Sequence, residues 1–171
     1  LPAVTTDQEA ITRGVWPPAA QDDPLVAKLW ANGEPLGRVA KRIFVGLQTS
    51  ADAVYILHKR GEPKDGLVPV YSRATRRVHE LEAALLNPLL SGQDIGRYGI
   101  PAPSKLLLFP YRVSQGKAKL IPAEEFPNAY PRSWDYLLQN KKVLEDREGG
   151  KMRHERWYAY VYPKNLALHD Q

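Results

Sequence analysis

The chain of 171 residues has no cysteine and a single methionine. Without cysteine there are no disulfides and no thiolate metal site, which excludes the disulfide-stapled secreted scaffolds and the zinc fingers. Histidine is scarce as well. His58, His79, His154 and His169 are scattered, no two of them at the helical spacing of a metal-binding pair, so no metal is expected. Long apolar runs are missing: no window approaches the roughly 18 uninterrupted apolar residues of a membrane span. The opening "LPAVTTDQEA" lacks the basic-then-apolar order of a signal peptide. These absences point to a cytoplasmic protein with no membrane partner. Because the chain begins with Leu and stops at "NLALHDQ" without a helix-stop signal, it reads as a piece of a longer protein.

Acidic charge is in deficit over most of the length. Residues 1–24 hold one Arg and four acids, whereas residues 25–171 hold 23 basic and 15 acidic residues, a body near +8. Within it Lys59, Arg60, Lys64, Arg73, Arg76 and Arg77 face only Glu62 and Asp65. A local excess of this kind favours a polyanion, though a basic surface also serves simple solvation.

Residues 1–23, with "GVWPPAAQDDP", read as a linker or the end of a preceding segment, and the domain is expected over 24–171. "PLVAKLWANG" suits a short helix with Pro24 in its first turn, Leu25, Val26, Leu29 and Trp30 inward, and Gly33 as its stop. "RIFVGLQ", "AVYILHK" and "GLVPVYSRATRR" are strand-like, the last with Pro69 demanding an edge or a bulge. In "HELEAALLNPLLSG", Leu81, Leu85 and Leu89 recur every four residues, as on a buried helix face that Pro88 ends. "KLLLFPYR" makes a fourth strand and "KAKLI" a fifth, paired through the "SQG" turn. A long helix is expected over Ser133–Glu148, with Ser133 as N-cap, Trp134, Leu137, Leu138 and Leu144 on one side, and Gly149-Gly150 as its end. The pattern defines an α+β domain: a mixed, largely antiparallel sheet of about five strands with flanking helices.

Converging reactive groups are also missing. There is no glycine-rich phosphate loop and no nucleophile elbow, and the charges of "EDREGGK" sit at a helix end where solvation explains them. "FPNAYP" falls short of the Asn-Pro-Pro-aromatic cradle of amino-methyltransferases, having one Pro and an intervening Asn. What remains is a sheet with polar and basic loops. Gln48, Thr49 and Ser50 either hydrogen-bond base edges or form a turn whose Thr and Ser satisfy their own backbone. In "GQDIGRYG", Arg97 and Tyr98 either meet a ligand, or Asp94 and Tyr98 brace the loop while Arg97 is merely exposed. Arg112 ends a strand and reaches a phosphate or water. Trp157, Tyr158, Tyr160 and Tyr162 read as core rather than as a base-stacking platform, because platforms space their aromatics across a sheet beside basic residues.

Taken in order, "EPLGRVAKRIFVGLQTSADAVYIL", "ELEAALLNPLLSGQDIGRYG", "LLLFPY", "YLLQNKKVLEDRE" and "WYAYVYPKNLAL" resemble the TaqI-like C-terminal specificity domain, over about residues 24–171. This is the target recognition domain of adenine-specific DNA methyltransferases and of single-chain restriction–modification enzymes. The resemblance implies a target-recognition-domain fold that grips double-stranded DNA. A separate catalytic methyltransferase domain of the parent chain would bind S-adenosylmethionine, leaving no cofactor and no catalysis in this chain. It places Gly46–Asp52 at a first hairpin, "LLSGQDIGRY" at a middle loop and Arg147 at the end of the long helix. Relatives in that family continue past "YPKNLAL" with further strands, so the domain is expected to be truncated at its C-terminus. The family shares no single set of base-reading residues. The contact set expected from charge and loop position is Gln48, Thr49, Ser50, Arg73, Arg76, Arg77, Arg97, Tyr98, Arg112, Lys141 and Lys142. The competing reading is a protein-interaction or assembly module whose basic face is incidental.

Overall fold

Every second residue of "LVPVYS" is buried, and that alternation makes the segment the second strand of a five-stranded sheet. The computed structural model describes residues 31–43, 46–99 and 102–170, with Pro24 and Lys28. The chain divides into two units, Leu1–Phe44 and Val45–Gln171. In the first, Pro24, Lys28, Ala31 and Asn32 are helical, whereas the expected inward residues Leu25, Val26, Leu29 and Trp30 lie outside the described residues. The short helix α1 (Leu36–Val39) follows, exposed and braced by an Arg38–Glu34 ion pair at 3.0 Å.

The second unit holds the α+β architecture. Its helix α2 (Asp52–Tyr55) leads directly into β1 (Ile56–Lys59), followed by β2 (Leu67–Ser72), β3 (Arg77–Glu82), β4 (Leu86–Leu89) and β5 (Lys105–Leu108). The sheet order is β3-β2-β1-β5-β4, with every pairing antiparallel. A separate hairpin pairs β6 (Tyr111–Ser114) with β7 (Lys117–Leu120). Gln115 and Gly116, both at positive φ, form its two-residue turn, as the "SQG" signal requires. Helices α3 (Phe126–Ala129), α4 (Pro131–Gln139), α5 (Lys141–Glu145) and α6 (Arg147–Gly150) complete the unit.

Several sequence expectations change. "HELEAALLNPLLSG" is not a helix but β3, a 3-10 turn at Ala83–Leu85, and β4. A leucine every fourth residue satisfies strand alternation as well as helical periodicity, and pairing decides between them. Pro88 sits in the edge strand β4. Pro69 does not mark an edge: β2 is interior, and Pro69 is tolerated because its carbonyl accepts Arg60 N–H where the β1 ladder ends. The front of "AVYILHK" is helical. "RIFVGLQ" contributes only the isolated bridge Gln48↔Tyr162, with Phe44 and Val45 outside the described residues. "KLLLFPYR" breaks at Phe109-Pro110, sending β5 and β6 into different sheets.

The long helix is also segmented. Asn140 leaves helical geometry and bonds Tyr136 C=O through its side chain at 2.8 Å, while Glu148 and Gly149 take positive φ. Ser133 is not the N-cap. It is fully buried in the first turn of α4, and the Glu82 carboxylate of β3 caps that turn instead, accepting Arg132 N–H and Ser133 N–H at 2.8 Å each as well as the Ser133 hydroxyl. Leu138, expected inward, is 43% exposed.

The core lies between one sheet face, the helices and an aromatic C-terminal stretch. Trp157, Tyr158 and Tyr160 are buried there, as expected, while Tyr162 is 42% exposed. Each buried tyrosine hydroxyl finds a backbone partner: Tyr55 donates to Tyr158 C=O, Tyr136 to Val54 C=O, Tyr158 to Ile121 C=O and Tyr160 to Leu108 C=O, and Tyr111 accepts Tyr160 N–H. Burial raises the Tyr111 and Tyr136 hydroxyls to about 12, so both stay neutral donors or acceptors.

Candidate nucleic-acid interface

Strand alternation gives the sheet two chemically different faces. Leu57, Val68, Val70, Ser72, Leu81 and Leu108 are buried on one of them. That face meets α4, where Tyr136 bonds Ser72 at 2.7 Å and stacks edge-on against His79 at 4.8 Å. The other face is polar and half-buried among the described residues: His58, Tyr71, Leu89 and Lys105 are each partly exposed, and Leu107 is buried. A cross-strand row runs over all five strands: Val78, Tyr71, His58, Lys105 and Leu89 stand directly opposite one another in turn. Val78 is 57% exposed.

Cations surround the middle of this row. The Arg60 guanidinium lies over the Tyr71 ring at 5.3 Å, and the Tyr71 and His58 rings are 6.4 Å apart. Lys105, opposite His58 on β5, donates to the Ser91 hydroxyl at 3.0 Å. Arg73, exposed at the start of the β2–β3 turn, lies near enough to His58 to affect its charge. Burial holds His58 below the ordinary imidazole range, and Arg73, Lys105 and Arg60 depress it further. Among the described residues none of these three cations has a carboxylate in ion-pair contact. Asp94 is an anion close to Lys105. Its carboxyl is held low by the Ser91 hydroxyl and backbone N–H, with a smaller contribution from Lys105. A cleft of about 460 Å³ opens on the same face, floored by Ile56, Leu89 and Leu107 and bounded by Gly46, Thr49 and Asp52.

The residues expected from sequence fall into separate places. Arg73 belongs to the row's cationic surround. Arg77 alternates onto the opposite face, where burial and then Arg77 lower the titration of His79. Arg76, exposed at positive φ, sits in the β2–β3 turn at one end of the sheet. Arg97 and Tyr98 occupy the β4–β5 connection at the other end, stacked at 5.2 Å, with Tyr98 95% exposed. Asp94 braces that connection through Ser91 and Ser104, but Tyr98 does not. Arg112 is committed to a forked pair with Glu125. Lys141 pairs with Glu145 at 3.7 Å and lies over Trp157 at 5.4 Å, and Lys142 is exposed beside it; both belong to the helical layer.

The Gly46–Asp52 segment is a loop into α2 rather than a hairpin. Thr49 is buried, its hydroxyl donating to Asp52 at 2.6 Å and accepting Ala51 N–H at 3.1 Å. Ser50 and Gln48 are exposed. His58, Tyr71 and Lys105 were missed as site residues. Alternation in "YILHK" and "LVPVYSR" puts the first two on a polar face, but only the β1–β5 register adds Lys105. Among the described residues no group of three or more His, Asp or Glu is placed to hold a metal, and no helix is long and apolar enough to cross a membrane.

This is an α+β fold whose largely antiparallel sheet carries one cationic, half-buried face. No family model matches the chain. Over 151 residues it is 23% identical to the type II restriction enzyme and methyltransferase RM.Eco57I of Escherichia coli, an alignment covering 84% of this chain and 15% of that protein. The chain is thus similar to one region of a restriction–modification protein and spans a small part of its length.

Proposed function

We propose that the chain is the target recognition domain of an adenine-specific DNA methyltransferase or of a single-chain restriction–modification enzyme in the cytoplasm. It holds double-stranded DNA for a separate catalytic domain that binds S-adenosylmethionine, and it is itself non-catalytic. The observation that carries this reading is the cationic sheet face, where among the described residues Arg60, Arg73 and Lys105 lack carboxylate partners around His58 and Tyr71. The likeness to a restriction enzyme and methyltransferase supports it. Phosphates position a duplex on such a surface, and base contacts come from adjoining loops, with Gln48, Arg76, Arg97 and Tyr98 the exposed candidates at the sheet's two ends.

The test is a titration of labelled duplex DNA at rising salt. For about four to six phosphate contacts, log K against log salt falls with a slope near −4 to −5. Absence of binding at about 50 mM salt, or affinity indifferent to salt, leaves the assembly-module reading instead.

A further inference from the structure

We propose that His58, Arg60, Arg73 and Lys105 form one phosphodiester site on the cationic sheet face, and that His58 takes up a proton when a backbone phosphate binds there. The inference rests on the DNA-binding reading above and goes beyond it, because it names the site and predicts a proton in the binding reaction.

The geometry is specific. His58 is at the centre of the five-residue row, between Tyr71 on β2 and Lys105 on β5. Arg60 follows the end of β1 and Arg73 opens the β2–β3 turn, both near enough to depress His58. Arg60 is fixed over Tyr71, and Lys105 is fixed by Ser91, so two of the three cations are already oriented. The charged groups that act on His58 are cations: Arg73, Lys105 and Arg60. The acidic groups on this side are Asp94, tied to Ser91 in the β4–β5 connection, Glu80, exposed on β3 opposite Pro69, Glu82 at the end of β3, committed to the α4 cap, and Asp52 at the cleft, which accepts the Thr49 hydroxyl. None of them is in ion-pair contact with His58. On β1 itself, Lys59 faces the other way and pairs with Glu62 at 2.8 Å.

Burial and three neighbouring cations keep the free His58 ring neutral near pH 7, with its proton held below the usual range. A phosphodiester oxygen placed between Lys105 and Arg73 puts a negative charge beside the ring and offers it an acceptor. Both changes favour the imidazolium, which then donates to the phosphate. The sign follows by linkage. The bound state holds more protons than the free state, so affinity rises as pH falls, by at most about tenfold per pH unit for one proton.

The test uses the whole chain and a duplex of mixed sequence. Calorimetry in two buffers of different ionisation enthalpy measures proton uptake directly, and affinities at about pH 6 and pH 8 give its consequence. The wild type is expected to take up as much as one proton and to bind more tightly at the lower pH. His58→Gln should still bind duplex, more weakly than the wild type, and lose both the proton uptake and the pH dependence, whereas His58→Lys, charged at both pH values, should lose the pH dependence but bind at pH 8 as the wild type does at pH 6. Lys105→Gln serves as a contrast, weakening binding and lowering the salt slope by about one while binding still tightens as pH falls, with a smaller proton uptake because one of the cations that depress the free His58 is gone. DNA binding without proton uptake, or uptake that persists in His58→Gln, overturns this inference and leaves the functional proposal standing. Absence of DNA binding at every pH overturns the functional proposal. If inorganic phosphate alone at the same concentration produces the uptake, the site takes a free anion, and the assignment to a DNA backbone is wrong.

Discussion

Gln48, Thr49 and Ser50 are adjacent in sequence but have different tasks. Thr49 is buried and its hydroxyl closes the loop that starts α2, accepting Ala51 N–H and donating to Asp52. Thr49→Val keeps the shape and removes both bonds, so it is expected to lower stability by about 1–3 kcal/mol in urea denaturation. Ser50 is exposed at positive φ, with its hydroxyl 3.4 Å from Glu148. Gln48 uses only its backbone, bridging Tyr162, and its side chain is left to solvent. Gln48→Ala should leave stability within about 0.5 kcal/mol. If Gln48 reads a base, the parent enzyme carrying this change should discriminate differently among single-base site variants, by about 1–3 kcal/mol. An unchanged ranking in a folded variant removes Gln48 from the recognition set.

At the scale of elements, Glu82 ties the end of β3 to the start of α4. Its carboxylate accepts two backbone N–H groups of the first helical turn and the Ser133 hydroxyl, in a place where no local side chain caps the helix. Glu82→Ala is expected to cost about 1–3 kcal/mol, and Glu82→Gln less, since an amide carbonyl still accepts while its NH2 opposes a second donor. Equal denaturation midpoints for wild type and Glu82→Ala would show that the cap is dispensable. This contact explains why the sequence misleads here: Ser133 has the right residue type for an N-cap, but the capping group arrives from a strand far away in the chain. Local signals were legible. The alternation of "LVPVYS" and the "SQG" turn each fix their own backbone. The leucine repeat was ambiguous because four residues fit both periods, and only pairing on β2 and β5 settles it as two strands. The candidate site divides the same way: Arg73 is visible as charge, whereas the meeting of His58, Tyr71 and Lys105 is a property of register across three strands.

At the scale of the whole sheet-bearing unit, one buried cation joins three distant segments. Arg147, at the break between α5 and α6, is 6% exposed and has no carboxylate partner among the described residues. Its guanidinium donates to Leu144 C=O at 2.7 Å, Thr49 C=O at 2.9 Å, Trp157 C=O at 2.6 Å and Ala159 C=O at 2.9 Å, and lies 5.7 Å from the Tyr55 ring centre. Carbonyl dipoles and the ring face replace the water that the charge has lost. The planar fork is what makes four carbonyls from separate segments reachable by one side chain. Arg147→Met leaves those acceptors without donors and should cost about 2–5 kcal/mol, a large share of the stability of an ordinary domain. Arg147→Lys keeps the charge but has only three donors on a point, so its loss should be smaller than that of the Met variant. Urea denaturation ranks the three proteins, and a DNA titration of the folded variants separates structure from contact. A buried guanidinium touches no phosphate, so the salt slope should be unchanged in both. A slope reduced by about one, with stability intact, would instead place Arg147 on the DNA.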